Sequence, residues 1–250
     1  MESAAPAVQV RRFTRIGGAL YLLIILAGLW CEVFARPRVI VGGDAVETAH
    51  RLQALESLWR SSAAVELAAA AMTVGLAWCL YTLLRVVDEG LSALMLYIDL
   101  VAITLQTGFA LYLLTALAPL TPATYLEVFT PEQRAALSYL AIRARNLGFG
   151  ISLLFFGLVF PIRGYLILRS AFLPRLLGIL VAIAGVGYVV NGFALVLAPR
   201  IAGQVFNFVA APILLGEGSL CLWLLLRGVD VDRWEACRRG NTARSGPATT

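Results

Sequence analysis

The sequence predicts an all-α protein, a polytopic transmembrane helical bundle of six spans with short amphipathic helices in the first and third loops. Three observations predict it. Of the 250 residues, 60% are hydrophobic and only 14% charged, and the mean hydropathy is +0.83, whereas a soluble domain carries about 25% charged residues. Six apolar stretches each reach the roughly 20 residues that a helix needs to cross a hydrocarbon core ~30 Å thick. The polar segments between them are short and hold helix-start patterns of their own. This composition excludes a soluble enzyme, a secreted disulfide scaffold and a nucleic-acid binder.

Span 1 is expected over residues 16–35, behind Arg11, Arg12 and Arg15. The paired arginines resemble the start of a twin-arginine signal, but the apolar run is too long for one and further spans follow, so an uncleaved anchor is expected. Span 2 is placed at 61–84, span 3 at 91–118 and span 4 at 147–168 with Pro161 inside. Span 5 covers 174–198 and span 6 covers 202–226. The domain organisation is therefore a cytoplasmic N-terminal segment (1–14), a six-helix membrane domain (15–229) and a polar tail (230–250) expected to be disordered.

The first loop opens with Asp44 and Glu47 at capping-box spacing. From there Val46, Ala49, Leu52, Leu55 and Trp59 recur at helical spacing, which predicts an amphipathic helix with His50, the only histidine, on its polar face. In the third loop Thr130-Pro131-Glu132-Gln133 predicts a helix start leading into span 4.

All 20 basic residues are arginine. With the N-terminus inside, the cytoplasmic side holds twelve of them: Arg11, Arg12, Arg15, Arg85, Arg163, Arg169, Arg175, Arg227, Arg233, Arg238, Arg239 and Arg244. The outer side holds eight: Arg36, Arg38, Arg51, Arg60, Arg134, Arg143, Arg145 and Arg200. The bias predicts both termini in the cytoplasm.

Ionisable groups within a span are costly and point to function. At 1.5 Å per residue, Asp99 on span 3 and Glu217 on span 6 both fall about 12–14 Å from the cytoplasmic side. Gly216 and Gly218 flank Glu217 and would admit a neighbouring helix. Two facing carboxylates would share a proton, which suits a proton-coupled carrier or a general acid; these are the catalytic candidates. The alternative is that each is protonated or hydrogen-bonded to a neighbouring helix and merely holds the bundle. A second level nearer the outside holds Glu32, Glu66, Arg143, Arg145 and Asn146, with Asn191 on span 5 and Asn207 on span 6 at similar depth. Glu66 or Glu32 paired with Arg143 or Arg145 would fix helix order; a cavity among these groups could instead take a polar headgroup. Glu66, Arg143, Arg145, Asn146, Asn191 and Asn207 are the ligand-binding candidates.

Cys31, Cys79, Cys221 and Cys237 form no CxxC, and no HExxH, GxSxG or P-loop spacing occurs. No metal site and no cofactor are expected. The partners implied are membrane lipid and a small apolar or lipid-like ligand, with no nucleic acid; the oligomeric state stays open.

The order of motifs adds a resemblance. Arg15-Ile-Gly-Gly-Ala-Leu-Tyr-Leu-Leu opens span 1, Gly43-Asp44 and Glu56-Ser57-Leu58 occupy the first loop, and residues 77–85 close span 2. Gly148-Phe149 leads to Phe155-Phe156-Gly157, followed by Gly164-Tyr-Leu-Ile-Leu-Arg-Ser, Phe172-Leu-Pro-Arg-Leu-Leu-Gly178 and Ala184-Gly-Val-Gly-Tyr188. Gly216-Glu217 and residues 224–229 finish span 6. Over roughly residues 12–229 the chain resembles the bacterial domain of unknown function 4386 family, with the block 164–188 its most specific part. The resemblance implies a six-span bacterial inner-membrane protein. The family pattern often has a His after Phe-Phe-Gly-Leu, where this chain has Val159. The family brings no established reaction, so no catalytic residue is carried over.

Three functions fit the sequence. One is an inner-membrane protein that binds or carries a small or lipid-like molecule in a polar-lined bundle. Another is a membrane-embedded cyclase or isomerase with Asp99 or Glu217 as general acid. The third is an accessory subunit whose buried polar groups serve packing alone.

Overall fold

A computed structural model describes residues 4–198 and 200–244, without the side chains of 4–9, 207 and 241–244. It is a helical transmembrane bundle with no strand among the described residues. Among the described residues, six helical segments are long and apolar enough to cross a membrane: Val10–Val39, Glu56–Leu84, Glu89–Leu120, Pro131–Arg169, Arg175–Leu197 and Ala202–Leu226. Their large apolar side chains face outward where lipid would lie, as at Leu26 and Leu111.

The first span is three pieces. Helix α1 (Ala4–Leu29) passes into a π-helical turn (Trp30–Ala35) and then into α2 (Arg36–Val39). Pro37 explains the widened turn. Its ring would strike the carbonyl four residues back in a regular helix, and a π turn relieves that clash. The same turn brings Glu32 and Arg36 onto one face.

Helix α3 (Ala45–Ala54) is the amphipathic helix expected in the first loop. Asp44 Oδ1 accepts from the Glu47 amide at 2.9 Å, but Glu47 turns forward to Arg51 at 2.7 Å, so the box is closed on one side only. Ala49 and Leu52 are buried and His50 is exposed. After Leu55 the chain enters α4 (Glu56–Leu84), which starts a turn earlier than expected and takes Trp59 with it. Helix α5 (Glu89–Thr115) ends in two 3-10 turns, Ala118–Leu120 and Thr124–Leu126.

Helix α6 (Pro131–Arg169) joins the expected loop helix and span 4 into one element. Its start is a reciprocal capping box: the Gln133 amide donates to Thr130 Oγ1 at 3.3 Å, and the Thr130 amide donates to Gln133 Oε1 at 2.9 Å. Helices α7 (Arg175–Leu197) and α8 (Ala202–Leu226) follow.

The segment from 230, expected to be disordered, instead forms α9 (Val231–Arg244). Val231 is buried, Trp234 Nε1 donates to the Leu83 carbonyl at 3.1 Å and Arg233 donates to the Ala171 carbonyl at 3.3 Å. Apolar residues three apart in a polar segment provide enough seating for a helix. Residues 245–250 of that tail lie outside the described residues.

The chain forms two compact units. The first is built from residues 23–72 and 103–152. Its core gathers Val39, Leu52, Trp59, Ala63, Leu113, Leu117 and Ile142. Trp59 is fully buried, and its Nε1 donates to the Leu113 carbonyl at 2.6 Å, which satisfies the one polar atom of the largest core side chain.

The second unit comprises residues 1–22, 73–102 and 153–250. Here α6 and α7 meet at paired glycines. A Cβ on Gly164 would lie 2.6 Å from the Gly178 carbonyl oxygen, and one on Gly178 would lie 2.7 Å from that of Gly164. Only a residue without a side chain lets the two backbones approach so closely.

Candidate functional site

In the first unit, the π turn, α2, α4 and α6 bring four charged side chains together. Arg36 donates to both Glu32 and Glu66. Arg145 Nη2 donates to Glu66 Oε1 at 2.8 Å and Oε2 at 2.9 Å, and its Nη1 reaches Glu32 Oε1 at 3.3 Å. The Asn146 side-chain oxygen accepts from the same Nη1 at 3.4 Å, and the guanidinium lies over the Phe149 ring, 4.5 Å from its centre. Two arginines and two carboxylates make a neutral set, the condition under which charge survives in a low dielectric.

The four are unequally buried. Side-chain exposure is 5% for Arg36, 3% for Arg145 and 6% for Glu66, but 43% for Glu32. The Nε atoms of Arg36 and Arg145 are buried and make no hydrogen bond. Glu66 is therefore the fixed counter-ion, and Glu32 is the accessible edge of the cluster.

Of the pairings left open by sequence, Arg145 makes both, with Glu66 and with Glu32, and Asn146 lies beside it. Arg143 is exposed and takes no part. Asn191 is buried on α7 in the second unit, and the side chain of Asn207 lies outside the described residues. Arg36, tallied by sequence as a loop charge, is a central member. Its spacing of four from Glu32 was the available signal.

The second unit holds the mid-span polar groups, and there Asp99 and Glu217 take different hydrogen-bond partners. Asp99, 2% exposed, accepts from Arg163 Nη2 at 3.0 and 3.4 Å. Glu217 accepts from the Tyr188 hydroxyl. Each carboxylate has its own donor, and no direct hydrogen bond joins them. Tyr21, also buried, lies beside the Glu217 carboxylate. Arg163 stacks on Phe160 at 4.8 Å from the ring centre. It was counted among the cytoplasmic arginines, but it is buried and paired with Asp99. Of the two glycines beside Glu217, only Gly216 meets a neighbour: a Cβ there would lie 2.6 Å from the Leu180 carbonyl oxygen, whereas one on Gly218 would meet nothing within 4 Å.

Chemically, the two clusters differ. In the second unit one carboxylate is paired with arginine and the other accepts a hydrogen bond from tyrosine. A pair of buried guanidinium groups with one accessible carboxylate partner can exchange that partner for another anion.

No curated protein and no solved structure matches the chain. Residues 16–228 match the family described as domain of unknown function (DUF4386). That match covers most of the chain, and the protein, with its six long apolar helices, belongs to this family.

Proposed function

We propose that this membrane protein binds or carries a small or lipid-like molecule with an anionic head, recognised by Arg36 and Arg145. The observation that supports the reading is the unequal burial of the charged cluster: both guanidinium groups are sequestered, but Glu32 stands 43% exposed. An incoming carboxylate or phosphate would replace Glu32, and Glu66 would keep the remaining charge balanced. Arginine suits this role because its planar fork holds such oxygens two at a time. The exposed Val33 and Phe34 beside Glu32 offer an apolar surface to a chain attached to that head.

The alternative of a membrane-embedded enzyme would rest on Asp99 or Glu217 acting singly as general acid, since the two carboxylates have separate partners. A bacterial inner-membrane setting with both termini cytoplasmic also belongs to this proposal. Setting the buried Arg163 aside from the twelve inner arginines leaves eleven, and setting Arg36 and Arg145 aside from the eight outer ones leaves six. The margin behind the positive-inside rule widens.

The test is thermal stabilisation of the detergent-solubilised protein by a medium-chain alkyl phosphate, with a neutral alkyl glucoside of the same chain as control. Glu32→Gln removes the competing carboxylate and should tighten alkyl phosphate binding by about tenfold, the worth of one charge-assisted hydrogen bond. Arg145→Gln should abolish it. If the alkyl phosphate stabilises neither the native protein nor Glu32→Gln more than the glucoside does, the reading fails and the cluster serves packing.

A further inference from the structure

The second unit carries a separate cationic feature, at the start of the first span. A groove of about 570 Å³ is lined by Arg11, Arg12, Arg15, Ile16, Ala19 and Leu225. Helical geometry explains the lining: residues 12, 15, 16 and 19 follow the i, i+3, i+4, i+7 face of α1, and Arg11 stands one turn before Arg15. Leu225 forms the opposite wall. It is held there by Gly18, where an added Cβ would lie 2.5 Å from the Leu225 amide nitrogen.

The groove is divided in chemistry along its length. Three arginines, all at least partly exposed, form no ion pair among the described residues. Directly beyond them come Ile16, Ala19 and Leu225, apolar and facing the same space. Cationic groups at the edge of a membrane span followed by an apolar floor match an amphiphile with a negative head and a hydrocarbon tail. We infer that this groove is a binding site for one anionic phospholipid, its phosphate held by Arg11, Arg12 and Arg15 and its acyl chain lying along Ile16, Ala19 and Leu225. A free phosphate would use only the arginines and leave the apolar floor unfilled. A zwitterionic lipid would bring its own cation against them.

The experiment offers the detergent-purified full chain equal amounts of phosphatidylglycerol and phosphatidylcholine with matched acyl chains, and counts retained lipids by native mass spectrometry. One phosphatidylglycerol should be retained with a preference of about 100-fold, about fivefold for each arginine near the headgroup. The triple variant Arg11→Gln/Arg12→Gln/Arg15→Gln should lose that preference. The triple Lys variant keeps the charge that orients the span, and should retain most of it. Glycerol phosphate at the same concentration should not displace the lipid. An unchanged preference in the Gln variant would overturn the assignment, as would displacement by glycerol phosphate, which would mark a site for a free anion.

Discussion

Arg145 on α6 closes onto both oxygens of Glu66 on α4, its Nη2 lying 2.8 Å from one and 2.9 Å from the other. Arg36 approaches the same carboxylate from the first span. One buried carboxylate thus ties three separate segments, and its removal would leave two arginines facing Glu32 alone. Glu66→Gln should therefore destabilise the protein by about 3–5 kcal/mol, the usual cost of an uncompensated buried charge. Arg145→Gln should cost a similar amount. The double variant keeps the neutral Arg36–Glu32 pair, so its cost should fall short of the sum by about 1–3 kcal/mol. A double-mutant cycle of unfolding in detergent measures the shortfall, and strictly additive costs would show that the two groups are not coupled.

Two glycines on either side of Glu217 should answer differently to the same substitution. Gly216→Ala places a methyl 2.6 Å from the Leu180 carbonyl oxygen and 2.7 Å from Ala184 Cβ. The α7–α8 contact must open to admit it, at a cost of about 1–3 kcal/mol. Gly218→Ala meets open space. It relieves the backbone entropy of a helical glycine and should be neutral or stabilising by up to about 1 kcal/mol. Thermal unfolding of the two variants side by side checks this; equal losses would mean that α7 does not pack on the Gly216 face.

These relationships show which parts of the molecule can be read from sequence. The six spans were legible because lipid imposes the same demand on each: a helix of about 20 apolar residues with its backbone bonds closed internally. The Glu66–Arg145 pairing was also within reach, since depth along a helix follows from counting residues and a buried charge needs a partner. Arg163 was not. It stands near the end of an apolar run, where hydropathy reads it as a surface charge, and its partner Asp99 is 64 residues away. The partner chosen by Glu217 was hidden for a related reason. Depth places two carboxylates at one level, but rotation of the helices decides that Tyr188 rather than Asp99 meets Glu217. Helix α9 was overlooked because its composition is polar, although Val231, Trp234 and Cys237 already marked a seating face at threefold spacing.

That seating face gives a pH-dependent prediction. Cys237 lies on α9, outside the membrane-spanning segments, and its Sγ donates to the Val86 carbonyl at 3.2 Å. Burial pushes its thiol above the ordinary cysteine value. The thiolate is the reactive form, so a raised thiol is less reactive than a free cysteine near neutral pH, and its labelling profile is displaced toward alkaline pH. In a variant with Cys31, Cys79 and Cys221 replaced by Ala, a small thiol reagent should modify Cys237 more slowly than a free cysteine near neutrality. The rise in rate should be centred above the free-thiol midpoint. Trp234→Ala removes the indole bond to the Leu83 carbonyl, which should unseat α9 and move the profile back toward that of a free thiol. A native profile centred at or below the free-cysteine midpoint would show that α9 does not bury this face.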